Sequence, residues 1–156
     1  MKNPSDKLVS RAATIILMDE INKVFPLFSP MGEKKWVEGW DPEFIYPANG
    51  DWLENMVFRT KTGNASEKIY NWVLSHLNPK DYLVVYTVFI ENRVWTIKVQ
   101  CTGLEKKKTR AEITYTFVAF NEKGNELNIE AIEKMYMHEL KDWEEAVNNF
   151  LRSEEN

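Results

Sequence analysis

Two runs of strict alternation, followed by one run of three-and-four spacing, limit what this chain can fold into more than any other feature. Trp95, Ile97, Val99 and Cys101 alternate with Thr96, Lys98, Gln100 and Thr102. Ala111, Ile113, Tyr115, Phe117 and Ala119 alternate with Glu112, Thr114 and Thr116, Val118 being the exception. Successive side chains of a strand point to opposite faces, so each run is a strand with one covered and one solvated face. Downstream, Ile129, Ile132, Tyr136, Leu140, Trp143, Val147 and Phe150 recur at intervals of three and four. At ~100° per residue they draw one apolar stripe on a helix of about six turns. A sheet with one face to cover and a long helix able to cover it predict an α+β domain.

The rest of the chain supplies the other strands. Residues 7–18 are rich in Val, Ile, Leu and Thr and read as a first strand. Asp19 then stands as the N-cap of a short helix holding Ile21, Val24 and Phe25, which Pro26 ends; Ser29 opens a second short helix with Pro30 in its first turn. The stretch EKKWVEGWDPEFIYP, residues 33–47, is dense in aromatic side chains and has neither helical nor strand periodicity. Further strands are expected near 44–46 and over 55–62, 68–77, 82–90, 93–103 and 109–120. Turns are expected at Gly63 and Asn64, at Asn78-Pro79-Lys80-Asp81, at Glu91-Asn92 and in the charged stretch GLEKKK, and NEKGNE reads as a turn before the last helix. Connections this short join antiparallel neighbours in a meander. Residues 1–156 read as a single domain, long enough to bury a core of its own.

Charge and cysteine usage narrow the function classes. Twenty Lys and Arg against 24 Asp and Glu give a net charge of -4, which supplies no global attraction for nucleic acid or an anionic membrane. Much of the acidity lies in the last helix, with seven acids against three bases between Glu126 and Arg152, and reads as a solvated face. Cys101 is the only cysteine, which removes internal disulfides and any cysteine-based zinc site and points to a reducing, cytoplasmic location. Its place in an apolar row makes it a small core thiol rather than a nucleophile. The glycines are isolated, with no phosphate-cradling spacing, and the two histidines sit on different elements without spaced carboxylates, so neither a cofactor nor a metal site is expected. The N-terminus has no apolar signal core, and no apolar run approaches the ~18 residues of a membrane span.

The order strand, two short helices, six strands, long helix carries a family resemblance. With VFPLFSPMGEKKWVEGWDPEFIYP, NWVLSHLNP, VWTIKVQ, RAEITYTFVAFNEKGN and MHELKDWEEAVNNFL, the chain from about Lys7 to Leu151 resembles the START-like or SRPBCC superfamily. This is the helix-grip fold shared by polyketide cyclase-like and major birch-pollen-allergen-like proteins. The resemblance implies a curved antiparallel seven-stranded sheet wrapped around a long C-terminal helix, with an apolar cavity between them. On the phase assigned above, Trp95, Ile97, Val99, Ile113, Tyr115 and Phe117 face that cavity from the sheet, with Trp72 and Leu74 beside them, and Ile132, Tyr136 and Leu140 face it from the helix. Trp36 is expected to pack inward and Trp40 to form the rim. Close packing of these aromatics into a filled interior is the competing expectation.

The resemblance specifies a scaffold that hosts many activities. Binding of a hydrophobic small molecule, as a carrier or sequestering domain, is one reading; homo-oligomerisation is left open. A polyketide cyclase- or hydratase-like enzyme is the second, with Tyr115, Tyr136, His76 and Glu139 as the candidate polar groups. His76 shares phase with Trp72 and Leu74, while Ser75 next to it points to the opposite face, so the two do not form a nucleophile and base pair. Glu139 falls at the stripe's edge, able to reach water or to look into the sheet, and His138 falls opposite the stripe. A protein-binding domain like the activator of the Hsp90 cochaperone system is the third.

Overall fold

Alternation leaves each long strand with one face to bury, and short connections leave each strand beside its predecessor. The computed structural model describes residues 8–61 and 69–155, and both expectations hold in it. Seven antiparallel strands, β1 (Leu8–Leu17), β2 (Glu43–Tyr46), β3 (Val57–Lys61), β4 (Ile69–Asn78), β5 (Leu83–Ile90), β6 (Arg93–Leu104) and β7 (Lys108–Ala119), form one sheet in the order β1-β7-β6-β5-β4-β3-β2. The expected turn at Gly63 and Asn64 lies outside the described residues. Register confirms the phase read from the sequence: Trp95 faces Phe117, Ile97 faces Tyr115, Val99 faces Ile113 and Cys101 faces Ala111. All eight are buried.

Between β1 and β2 run α1 (Ile21–Val24), a 3-10 turn (Phe25–Phe28) and α2 (Pro30–Glu33). Ser29 caps α2, its Oγ accepting from the Gly32 amide at 2.9 Å. Asp19 is not the N-cap of α1; Glu20 holds that position, and the Asp19 carboxylate accepts from the Glu20 amide instead. Gly32 is required by a close approach, because a Cβ there would stand 2.1 Å from the Pro26 carbonyl oxygen.

The closing helix is present but in two pieces, α3 (Glu122–Met135) and α4 (Lys141–Glu154). NEKGNE is not a turn. It forms the first turns of α3, capped by the Asn121 side chain on the Gly124 amide. The break falls where Glu139 (φ 51) and Leu140 (φ 59) adopt the left-handed conformation, which costs a residue with a Cβ roughly 1–2 kcal/mol. Leu140 is 1% exposed, and burying a leucine side chain contributes about 1.5–3 kcal/mol, which offsets much of the cost of the two left-handed residues. Below the break α4 lies along the free edge of β1. The Ile16 amide donates to Glu144 and the Met18 amide to Asn148, each at 2.8 Å, while the Asn148 amide group donates to the Ile16 carbonyl at 3.0 Å. Side chains thus satisfy an edge that would otherwise offer itself to another strand. No helix among the described residues is long and apolar enough to cross a membrane.

Candidate functional site

A cavity of about 980 Å³ opens between the sheet, α4 and the aromatic stretch after α2. Its floor is the concave face of the strands: Tyr70 and Trp72 on β4, Tyr86 on β5, Ile97 and Val99 on β6, Tyr115 on β7. Its roof is Trp143 and Ala146 of α4 together with Trp36, Val37 and Trp40. Both loop tryptophans are anchored through their ring nitrogens, Trp36 to the Leu27 carbonyl and Trp40 to the Pro30 carbonyl, each at 2.8 Å. Gly39, at φ 76, lets the chain turn between them in a conformation that costs glycine little. Trp36 then packs edge-on to Phe28 at 5.9 Å and 5.4 Å from Trp143, and Trp40 edge-on to Trp72 at 5.4 Å. The aromatic stretch therefore builds one wall of a void, with both tryptophans half-buried.

Several of the polar atoms on the aromatic wall residues are already used. The Trp72 indole donates to Thr60 at 2.9 Å; the Tyr86 hydroxyl donates to the Phe28 carbonyl at 2.7 Å and accepts from Trp52 at 3.0 Å. What these groups present to the void is ring surface. Tyr115 differs, since its hydroxyl has no hydrogen-bond partner among the described residues. Burial pushes its pKa well up, and the charges of Glu33, Tyr136, Asp142 and Tyr70 push the same way.

Glu33, at the end of α2, is the group that sequence reasoning missed. It lines the cavity, and its carboxyl has no hydrogen-bond partner among the described residues. Desolvation by the surrounding protein holds its pKa well above the usual carboxylate range, and its charge is felt at the Tyr86 and Tyr115 hydroxyls, raising both. Glu33 is half-buried and lines the void, and a carboxylate removed from bulk solvent in this way is disfavoured. The sequence carried a signal: helical geometry continued from α2 puts Glu33 on the same face as Trp36 and Val37, three and four residues on, and the Val37 amide does donate to the Glu33 carbonyl at 2.8 Å.

Among the residues expected at the cavity, Trp72, Ile97, Val99 and Tyr115 line it, and Trp40 lies in its wall. Leu74, Trp95, Ile113, Phe117, Ile132, Tyr136 and Leu140 belong to the packed core. Tyr136 is fully buried, its hydroxyl donates to the Ile113 carbonyl at 3.1 Å, and burial pushes its pKa up to about 12. The α3–α4 break is what takes Tyr136 and Leu140 away from the void, since a continuous helix would have carried the whole stripe along one line.

His76 does not look inward. The β4–β5 register shifts between Leu74 and His76, so that Leu74 pairs with Tyr86 but His76 pairs with Val85. This bulge inserts one residue and puts His76 on the outer surface, where its Nδ1 lies 3.3 Å from Glu54. Ser75 is exposed as well, its hydroxyl hydrogen-bonded to that of Thr87, so the expectation that Ser75 and His76 point to opposite faces fails at the same bulge. Glu139 reaches water, not the sheet interior, and pairs with Arg11 at 3.0 Å. Cys101 is 2% exposed and burial pushes its thiol up to about 12, which is the behaviour of a core thiol. No group of three or more metal-ligating side chains occurs among the described residues.

No family model matches the chain, and no curated protein matches it in sequence. Solved structures match in fold. A norcoclaurine synthase point mutant from Thalictrum flavum, in complex with a transition-state analogue, superposes with a TM-score of 0.70 at 8% identity, covering 96% of this chain and 97% of that one. Ara h 8.0201 superposes with a TM-score of 0.69 at 12% identity, over 94% of this chain and 99% of that one. The Zhui aromatase/cyclase from Streptomyces sp. R1128 gives 0.68 at 12% identity, over 93% and 94%. With seven antiparallel strands, short helices after the first and a helical segment closing the chain against the concave face, this protein has the helix-grip fold of these structures.

Proposed function

We propose that the protein binds an apolar, ring-containing small molecule in the cavity between sheet and α4. The observation that carries this is the wall chemistry. A void of about 980 Å³ lies among aromatic faces whose polar atoms are mostly engaged by the protein itself. Ligand sites are commonly voids of roughly 300–1,000 Å³ with apolar walls and a few polar groups, and rings stacked on Trp and Tyr faces gain about 0.5–1.5 kcal/mol each beyond area burial. Fold neighbours that hold a transition-state analogue or are called an aromatase/cyclase support the choice of a small molecule over a macromolecule. Titration with N-phenyl-1-naphthylamine, a fluorescent probe uncharged at neutral pH, tests it: one saturable site per chain is expected, and fluorescence that rises without saturation overturns it.

A second reading, a cyclase- or hydratase-like enzyme, is favoured by one feature. Glu33 and Tyr115 face the same void without hydrogen-bond partners among the described residues and are electrostatically coupled, the arrangement needed for proton transfer to a bound carbonyl compound. Exchange of deuterium from solvent into an enolisable aryl ketone, present with the native protein and absent after Tyr115→Phe and Glu33→Gln, would establish it; no exchange above background would leave binding as the function.

A further inference from the structure

The cavity's charge is lopsided. Around its walls and mouth, Glu38, Asp41, Glu43 and Asp142 stand against Arg59 and Lys61, and inside it Glu33 adds a carboxyl with no hydrogen-bond partner among the described residues. A buried carboxyl is normally satisfied by a cation or by donors. The titratable groups facing it from the sheet are the Tyr86 and Tyr115 hydroxyls; that of Tyr86 is engaged with Phe28 and Trp52, and neither is hydrogen-bonded to Glu33. The tyrosine and tryptophan faces around it attract positive charge through their π-systems, an effect worth most where water is excluded. Carboxyl, acidic mouth and electron-rich rings select the same sign of guest.

We propose that the cavity's ligand is an aromatic molecule bearing a protonated amine, seated with its ammonium group on Glu33 and its ring between the sheet and Trp143. This rests on the cavity being a ligand site and adds the chemical class of the ligand. It carries a proton balance. Below its raised titration point Glu33 holds a proton in the empty cavity; on binding there, the ammonium replaces it, the carboxylate forms the ion pair, and one proton leaves to solvent. One proton released means that affinity tightens tenfold per pH unit below the titration point of Glu33 in the empty protein and levels off above it. A neutral guest of the same shape releases none.

The test uses a matched pair, 2-(1-naphthyl)ethylamine and 2-(1-naphthyl)ethanol, each displacing N-phenyl-1-naphthylamine from the native protein. Calorimetry in buffers of different ionisation enthalpy counts the protons. The expected result is an amine preference of tenfold or more, about one proton released for the amine and none for the alcohol, and loss of both effects in Glu33→Gln. Equal affinity for the pair, or preference for the alcohol, with the fluorescent probe still binding, overturns the amine assignment while leaving the cavity a ligand site. Failure of the probe itself overturns the underlying reading. Proton release that persists in Glu33→Gln also overturns the assignment, since the amine would then be shedding its own proton. Should Glu33→Gln not fold, the pH profile of the native protein decides alone: a flat amine affinity refutes the exchange at Glu33.

Discussion

Replacing Glu33 by glutamine keeps the size of a side chain in the cavity wall and removes its titration, so the stability of the variant and the native protein should diverge with pH in a defined sense. Desolvation raises the folded-state pKa of Glu33 above the value of about 4.3 for a free glutamate. Between those two values the folded protein binds a proton that the unfolded chain has lost. Stability contributed by a raised carboxyl is greatest at low pH, falls as pH rises through that window, and is flat above the folded pKa. The slope for one proton is about 1.4 kcal/mol per pH unit. Glu144 works the other way: the Ile16 amide and Lys141 lower its pKa, so its contribution is lost as pH falls. Because Glu144 is common to both proteins, it cancels in the difference. Urea unfolding of both proteins from about pH 4.5 to about 8 should therefore show the variant gaining on the native protein as pH rises, by up to that slope, and then holding a constant lead. A difference that does not change with pH would mean that the Glu33 carboxyl is hydrated in the folded state, and the desolvated cavity described above would be refuted.

Three other outcomes follow from the geometry. Tyr86→Phe removes a hydroxyl with a partner on either side and should cost about 1–3 kcal/mol, whereas Tyr115→Phe, whose hydroxyl has no hydrogen-bond partner among the described residues, should change stability by less than about 0.5 kcal/mol; equal losses in chemical unfolding would contradict this. Glu144→Ala takes the acceptor from the Ile16 amide on the edge of β1 and should cost about 1 kcal/mol or more, with faster hydrogen exchange at Ile16 than at β7 amides; exchange unchanged at Ile16 would show that the amide is satisfied some other way. Cys101, buried with its thiol pushed up to about 12, should react with a thiol reagent only at the rate at which the chain opens, so labelling should accelerate with urea in step with unfolding. Rapid labelling of the folded protein would place Cys101 outside the core.

The fold was legible because β6 and β7 alternate almost without exception and the closing stripe keeps its spacing. Those two facts fixed the phase of the sheet and identified what covers it. The site was less legible for reasons visible in particular residues. In β4 both faces carry apolar side chains, so nothing in the pattern betrays the bulge at Ser75 that turns His76 outward. The stripe runs through Tyr136, Leu140 and Trp143 at helical spacing even though Glu139 and Leu140 are left-handed; periodicity records which residues are buried, not whether the backbone between them stays helical. That bend separates Tyr136 and Leu140, which fill the core, from Trp143, which faces the void. Glu33 stood at the head of the aromatic stretch, where a short helix gave too few residues for a periodic pattern, and its importance comes from the void it faces rather than from any motif.

Ligand in the void would be felt by the tryptophans that wall it. Four of the six tryptophans, Trp36, Trp40, Trp72 and Trp143, line it, while Trp95 lies in the packed core. A proton–nitrogen NMR titration with 2-(1-naphthyl)ethylamine reads each assigned indole separately. The indole signals of those four should shift together along one saturable curve while that of Trp95 stays in place. Shifts confined to Trp95 or to surface amides, with the four wall tryptophans unmoved, would contradict binding in the void.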